Sequence, residues 1–201
     1  TSVDFKYKRL NGDDAPELEL PEPTMTSRVR VRPASGGATW SQHSGSHRPF
    51  ADADAIIHTV SVTGLKPGVE YELAIGGNDA GTYRFRTAHG DLDQPIRFVT
   101  GGDMGVGRTA IKVNQQAGRA DPAFALLGGD LAYANGRDAD KWYDWIDNWV
   151  EHARTPDGRL VPMIAVIGNH ETGSSLPPDL AERLGTHPRA KLQYSLFVQP
   201  H

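Results

Sequence analysis

The sequence predicts a β sandwich followed by an α/β domain built on a parallel sheet. Residues 1 to about 90 hold short β-rich segments separated by turn residues, with no convincing helical period. From about residue 96, apolar runs alternate with helical stretches in the order β-α-β-α-β, which argues for a parallel sheet. Three of those apolar runs also end alike: "IRFVTGGD" at Asp103, "FALLGGD" at Asp130 and "MIAVIGNH" at Asn169 and His170. Ligands of open α/β sheets sit outside the carboxyl ends of the strands, so three such endings describe a site.

The elements follow in order. "NGDDAPELELPEPT", residues 11–24, is acidic and proline-rich and reads as irregular. Arg28 to Arg32 alternate apolar and charged residues, as a strand with one wet face does. "SQHSGSHRP", residues 41–49, reads by composition as a solvated loop, so His43 and His47 are not read as a metal pair. Asp52 and Asp54 in "FADADA" are too few for an oxygen-ligand calcium loop. "IIHTVSVTGL", "GVEYELAIGG" and "GTYRFRT" read as further strands. Leu65, Pro67, Gly68 and Tyr71 in "GLKPGVEY" resemble the tyrosine corner before a sandwich's penultimate strand. Residues 1–90 therefore resemble a fibronectin type III-like module, and "AHGDLDQP", residues 88–95, reads as a linker.

In residues 91–201, strands are expected at about 96–100, 123–127 and 162–167, and helices at about 108–119 and 138–153. Phe124 to Leu127 reads as a strand buried on both faces. Trp142, Trp145 and Trp149, with Ile146, fall at helical spacing and read as the face packed on the sheet. "LPPDLAERLG", residues 176–185, suggests a short helix with proline in its first turn and glycine at its end. His58, His89, His152, His187 and His201 belong to no motif.

Composition narrows the function. The 201 residues are 38% hydrophobic and 23% charged, as in a soluble globular protein. A net charge of −4 argues against general nucleic-acid binding, which needs a basic face. No apolar run approaches membrane-spanning length, and no signal-peptide pattern follows Thr1. With no cysteine there are no disulfides or thiolate ligands, so any metal must use oxygen and imidazole. An ionised aspartate at a water-poor strand end is costly unless a cation compensates it. One carboxylate can bridge two metals about 3.5–4 Å apart, a spacing that clamps both oxygens of a phosphoryl displacement.

Gly102-Asp103-x-Gly105, Gly129-Asp130-x-x-Tyr133 and Gly168-Asn169-His170-Glu171 resemble the first three motifs of the calcineurin-like metallophosphoesterases. Tyr133 is similar to the phenolate ligand of ferric iron in the purple acid phosphatase branch, which also carries an N-terminal fibronectin-like domain. The resemblance implies a secreted or periplasmic enzyme that hydrolyses phosphate monoesters at a binuclear centre, Fe(III) plus Zn, Mn or Fe(II). It implies that Asp103 and Tyr133 bind the iron, Asp130 bridges, and Asn169 binds the second metal through its side-chain oxygen. His170 would hydrogen-bond the phosphate or leaving group, Asn169 would also contribute to substrate binding, and Glu171 would orient His170. The family's later motifs, V-x-x-H and G-H-x-H, supply three histidine ligands and are not found here. The chain is thus expected to hold the first β-α-β-α-β half of the catalytic domain, as an N-terminal fragment or one piece of a cleaved protein. Its partners would be a phosphate ester and the C-terminal half of that domain, with no nucleic acid and no membrane. Alternative readings are a phosphodiesterase or nucleotidase of the same superfamily, an inactive fragment, or a non-enzymatic β module.

Overall fold

A computed structural model describes residues 2–5, 27–50, 55–75, 81–91, 93–136, 138–172 and 190–197. The irregular opening at 11–24, Asp52, Asp54, the helix expected at 176–185, His187 and His201 lie outside the described residues.

Two antiparallel sheets form the first half. One has the order β1 (Ser2–Phe5), β5 (Ile56–Val60), β4 (Ser46–Pro49). The other runs β3 (Ser41–Ser44), β2 (Arg28–Pro33), β6 (Glu70–Ile75), β7 (Thr82–Arg86). The period-2 pattern of β2 and β6 sends Val29, Val31, Tyr71 and Leu73 inward, where they meet Val60 and Val62 in one core shared by both sheets. The Tyr71 hydroxyl oxygen accepts from the Lys66 backbone N–H at 2.8 Å, the bond that a tyrosine corner makes.

"SQHSGSHRP" is not a loop. It forms β3 and β4, which pair with β2 and β5 in different sheets. Gly45 is the crossing point, where an added Cβ would lie 1.8 Å from the Thr59 carbonyl oxygen. The polar composition misled because both strands are edges, mostly exposed, where charge and hydroxyls are favoured. His43 and His47 therefore sit on separate sheets, and His47 lies 5.9 Å from the His58 ring instead.

The second half is a three-stranded parallel sheet in the order β10 (Met163–Ala165), β9 (Phe124–Leu127), β8 (Phe98–Gly101). α1 (Arg108–Arg119) and α2 (Ala139–His152) connect these strands, and α3 (Asn169–Thr172) and α4 (Lys191–Leu196) follow. Asp138 caps α2 by accepting from the Lys141 N–H. Trp142, Trp145, Ile146 and Trp149 are buried against Ala125 and Leu127, as their spacing predicts. Phe50 and Ile57 join this same cluster, so the first half contributes to the second core. Arg159 adds a polar tie, with Nε 2.8 Å from Asp157, Nη2 2.5 Å from Asp121, and Glu70 of β6 at 3.8 Å.

β9 is buried on one face only. Leu126 is 38% exposed, and beside it Phe98 is 50% and Ile164 55% exposed. The in-phase residues Ile96 and Val166 extend this apolar face along the sheet. The prediction of burial on both faces fails because α2 covers only the side carrying Ala125 and Leu127.

Candidate functional site

The loops leaving β8 and β9 keep pairing beyond the strand ends. Gly128 N–H donates to Gly101 O at 2.6 Å, Met104 N–H to Asp130 O at 2.9 Å, and Gly105 N–H to Leu131 O at 2.8 Å. This brings Asp103 and Asp130 onto neighbouring loops at the carboxyl edge of the sheet. The glycines before them are steric requirements. A Cβ on Gly129, at φ +92°, would meet Gly168 N at 2.5 Å, and one on Gly168 would meet Asp130 Oδ1 at 2.3 Å. Asp103, Asp130, Tyr133 and Asn135 all have left-handed backbone, with φ of 50°, 52°, 55° and 50°. For a tyrosine that conformation is an outlier, and such strain concentrates at functional sites.

The side chains then converge. The Tyr133 hydroxyl donates to Asp103 Oδ1 at 3.0 Å. The Tyr133 ring lies 4.2 Å from the His170 ring. The His170 backbone N–H donates to Asp130 Oδ1 at 2.8 Å, and its Nδ1 is 2.7 Å from Asn135 Oδ1. With a carbonyl oxygen as partner, Nδ1 carries the proton and Nε2 is left for an outside group. Asn169 is exposed at the first position of α3. Of the residues predicted from the motifs, Asp103, Asp130, Tyr133 and His170 are thus linked by direct contacts.

Two features differ from the sequence reading. Glu171 does not orient the His170 ring. It is 1% exposed and accepts the backbone N–H groups of Asp130, Leu131 and Gly168 at 2.8, 2.9 and 2.7 Å. Asn135 holds His170 instead, a residue the motif reading passed over. Its signal was slight, an asparagine before glycine in "AYANG", where left-handed backbone is favoured.

The hydrogen bond to Asp103 raises the Tyr133 pKa, and burial and the charges of Asp103, Asp130 and Glu171 raise it further. The phenol therefore stays protonated until a cation offsets the local negative charge. The donors are carboxylate, phenol and amide oxygens, which suit a hard cation. Asp103 and Tyr133 already converge on one point, and Asp130 keeps an oxygen beyond the one that takes the His170 N–H. These residues fit part of a metal centre. Among the described residues, no group of three His, Cys, Asp or Glu side chains could hold a metal ion.

No protein-family model matches the chain. Two uncharacterized proteins of Mycobacterium tuberculosis, from strains CDC 1551 / Oshkosh and ATCC 25618 / H37Rv, are each 30% identical, with 62% of this chain and 27% of the relative covered. The chain thus spans about a quarter of the length of these relatives, 27%. Among solved structures, purple acid phosphatase PPD1 from yellow lupin (Lupinus luteus) seeds is similar at a TM-score of 0.59 and 21% identity, over 87% of this chain and 36% of that one. Among the described residues, no helix is long and apolar enough to cross a membrane. The likeness to the lupin structure is one of fold, and the chain has a metallophosphoesterase-like fold.

Proposed function

We propose that this chain carries the first part of a binuclear metal site for hydrolysis of phosphate monoesters, of purple acid phosphatase type. The observation that carries the reading is the Tyr133–Asp103 hydrogen bond beside Asp130 and His170, all on the carboxyl edge of one parallel sheet. In this reading Asp103, Asp130 and Tyr133 would hold Fe(III), and Asp130 with the side-chain oxygen of Asn169 would hold Zn, Mn or Fe(II). When bound, such a centre supplies Lewis acidity and a nucleophile near neutral pH. His170, held by Asn135, presents Nε2 to a phosphate or leaving-group oxygen.

The three missing histidine ligands come, in this proposal, from the C-terminal half of the catalytic domain. That half covers the bare sheet face of Phe98, Leu126 and Ile164, since apolar patches of this kind mark interfaces. Residues 1–90 serve as a fibronectin type III-like module and residues 91–201 as the first half of the catalytic domain, in a secreted or periplasmic protein. The test is a ferric-iron titration of the purified chain, followed by visible absorption, with hydrolysis of p-nitrophenyl phosphate measured on the same samples. Weak binding with a phenolate band is expected, lost in Tyr133→Phe, with no hydrolysis by the chain alone. Absence of any band defeats the metal assignment. Hydrolysis by residues 1–201 alone defeats the assignment of an incomplete site.

A further inference from the structure

We propose that Glu171 is a positioning residue, a buried carboxylate clamp that sets where Asp130 and the segment after β10 stand relative to each other. One carboxylate takes three backbone donors from two strand ends. Oε2 accepts from Asp130 N and Gly168 N, and Oε1 accepts from Leu131 N. The donors on each side of the gap belong to residues that flank ligand-type side chains. Asp130 is itself one, and Gly168 precedes Asn169 and His170.

The gap has to be clamped because parallel pairing ends before it. The β9–β10 register runs from Ala125 and Met163 to Leu127 and Ala165, and Val166 N–H adds one last bond to Leu127 O. Beyond it the chains approach more closely than a Cβ allows at Gly129 or Gly168. Two backbone amides on the β9 side, Asp130 and Leu131, and one on the β10 side, Gly168, would be left facing a dry gap without an acceptor, a costly arrangement. Glu171, 1% exposed, fills that need with one charged acceptor, and charge-assisted bonds of this kind are the strong ones. The clamp also sets the reciprocal contact, in which the His170 N–H donates to Asp130 Oδ1. Asp130 therefore has its backbone fixed by Glu171 and one oxygen fixed by His170, leaving a defined direction for the other.

The clamp is a property of the metal-free protein, and its consequence for ligand binding rests on the metal-site reading. The test compares wild type with Glu171→Gln and Glu171→Asp, using Glu151→Gln on the exposed face of α2 as a control. Amide exchange by NMR in metal-free protein reads the clamp. Terbium(III) luminescence, well below each variant's Tm, reads the oxygen-ligand site. In Glu171→Gln, exchange at Asp130, Leu131 and Gly168 is expected to rise about tenfold or more while Ala125 and Leu127 in β9 hold. Terbium affinity is expected to fall about 10–100-fold. Partial recovery of both in Glu171→Asp supports the charge as the active feature. Unchanged exchange at those amides overturns the clamp. Faster exchange with unchanged terbium affinity overturns the positioning role and leaves Glu171 structural. If wild type binds no terbium, the metal-site reading fails, and the exchange data still decide the clamp.

Discussion

Four residues at the site, Asp103, Asp130, Tyr133 and Asn135, occupy left-handed backbone that glycine would adopt without strain. Two of them are carboxylates on adjacent loops, with Glu171 buried next to them. Such a cluster is arranged for a ligand at the expense of stability. Asp103→Asn keeps a side chain tolerant of left-handed backbone and removes one of the crowded charges. It is expected to raise the stability of the metal-free chain at neutral pH by about 0.5–1 kcal/mol, measured by thermal unfolding, while weakening ferric-iron binding. A loss of stability would make the Asp103 carboxylate structural. The glycines make the opposite prediction. Gly168→Ala forces a Cβ into Asp130 and is expected to cost about 1–3 kcal/mol. Gly101→Ala, with nothing within 4 Å, is expected to stay within about 0.5 kcal/mol, and equal effects would contradict the close approach.

At the scale of elements, the two faces of β9 separate what is packed from what is bare. Leu127 is 3% exposed and lies in the Trp142–Trp145–Trp149 cluster, whereas its neighbour Leu126 is 38% exposed. Leu127→Ala is expected to cost about 2–5 kcal/mol in urea unfolding. Leu126→Ser is expected to change stability by less than about 0.5 kcal/mol and to reduce binding of a hydrophobic dye to the sheet face. A large loss from Leu126→Ser would mean that this face is covered in the chain itself. The helices and parallel strands were legible because α1 and α2 carry long amphipathic patterns and the strands are compact apolar runs between glycines. β3 and β4 were not legible, because a polar edge strand and a polar loop have the same composition. What distinguishes them is pairing with β2 and β5, which is tertiary.

Across the whole molecule, the halves meet through Phe50 and Ile57 in the second core and through Arg159, whose side chain is 5% exposed. Arg159→Ala removes the cation shared by Asp157, Asp121 and Glu70, but Glu70 keeps Arg84 at 2.9 Å and the two aspartates are 44% exposed, so the expected cost is about 1–3 kcal/mol, mostly from the lost hydrogen bonds. The same knot predicts a pH dependence. Burial pushes the Asp157 carboxyl up, but hydrogen bonds from Thr155 and Arg159 and the Arg159 charge outweigh it and hold the pKa at about 2, below the ordinary 3.8. A depressed carboxylate stabilises the folded state fully above its unfolded pKa and loses that contribution as pH falls from about 4 to about 2. Its side chain is 44% exposed, so solvent screening keeps the contribution below about 1 kcal/mol. Asp157→Asn is expected to flatten that part of a pH–stability curve, and an unchanged curve would remove Asp157 as its source. The sequence by itself determined the β-α-β-α-β order of the second half and which residue types stand at its strand ends, because strand ends, glycines and helical spacing are local features written in adjacent residues. The tertiary structure alone decided that Tyr133 reaches Asp103, that Asn135 rather than Glu171 holds His170, and that Glu171 spans two strand ends. Apart from the local Glu171–Gly168 bond, these contacts join residues 30 to 41 positions apart, and only the register of β8, β9 and β10 brings them within hydrogen-bonding distance.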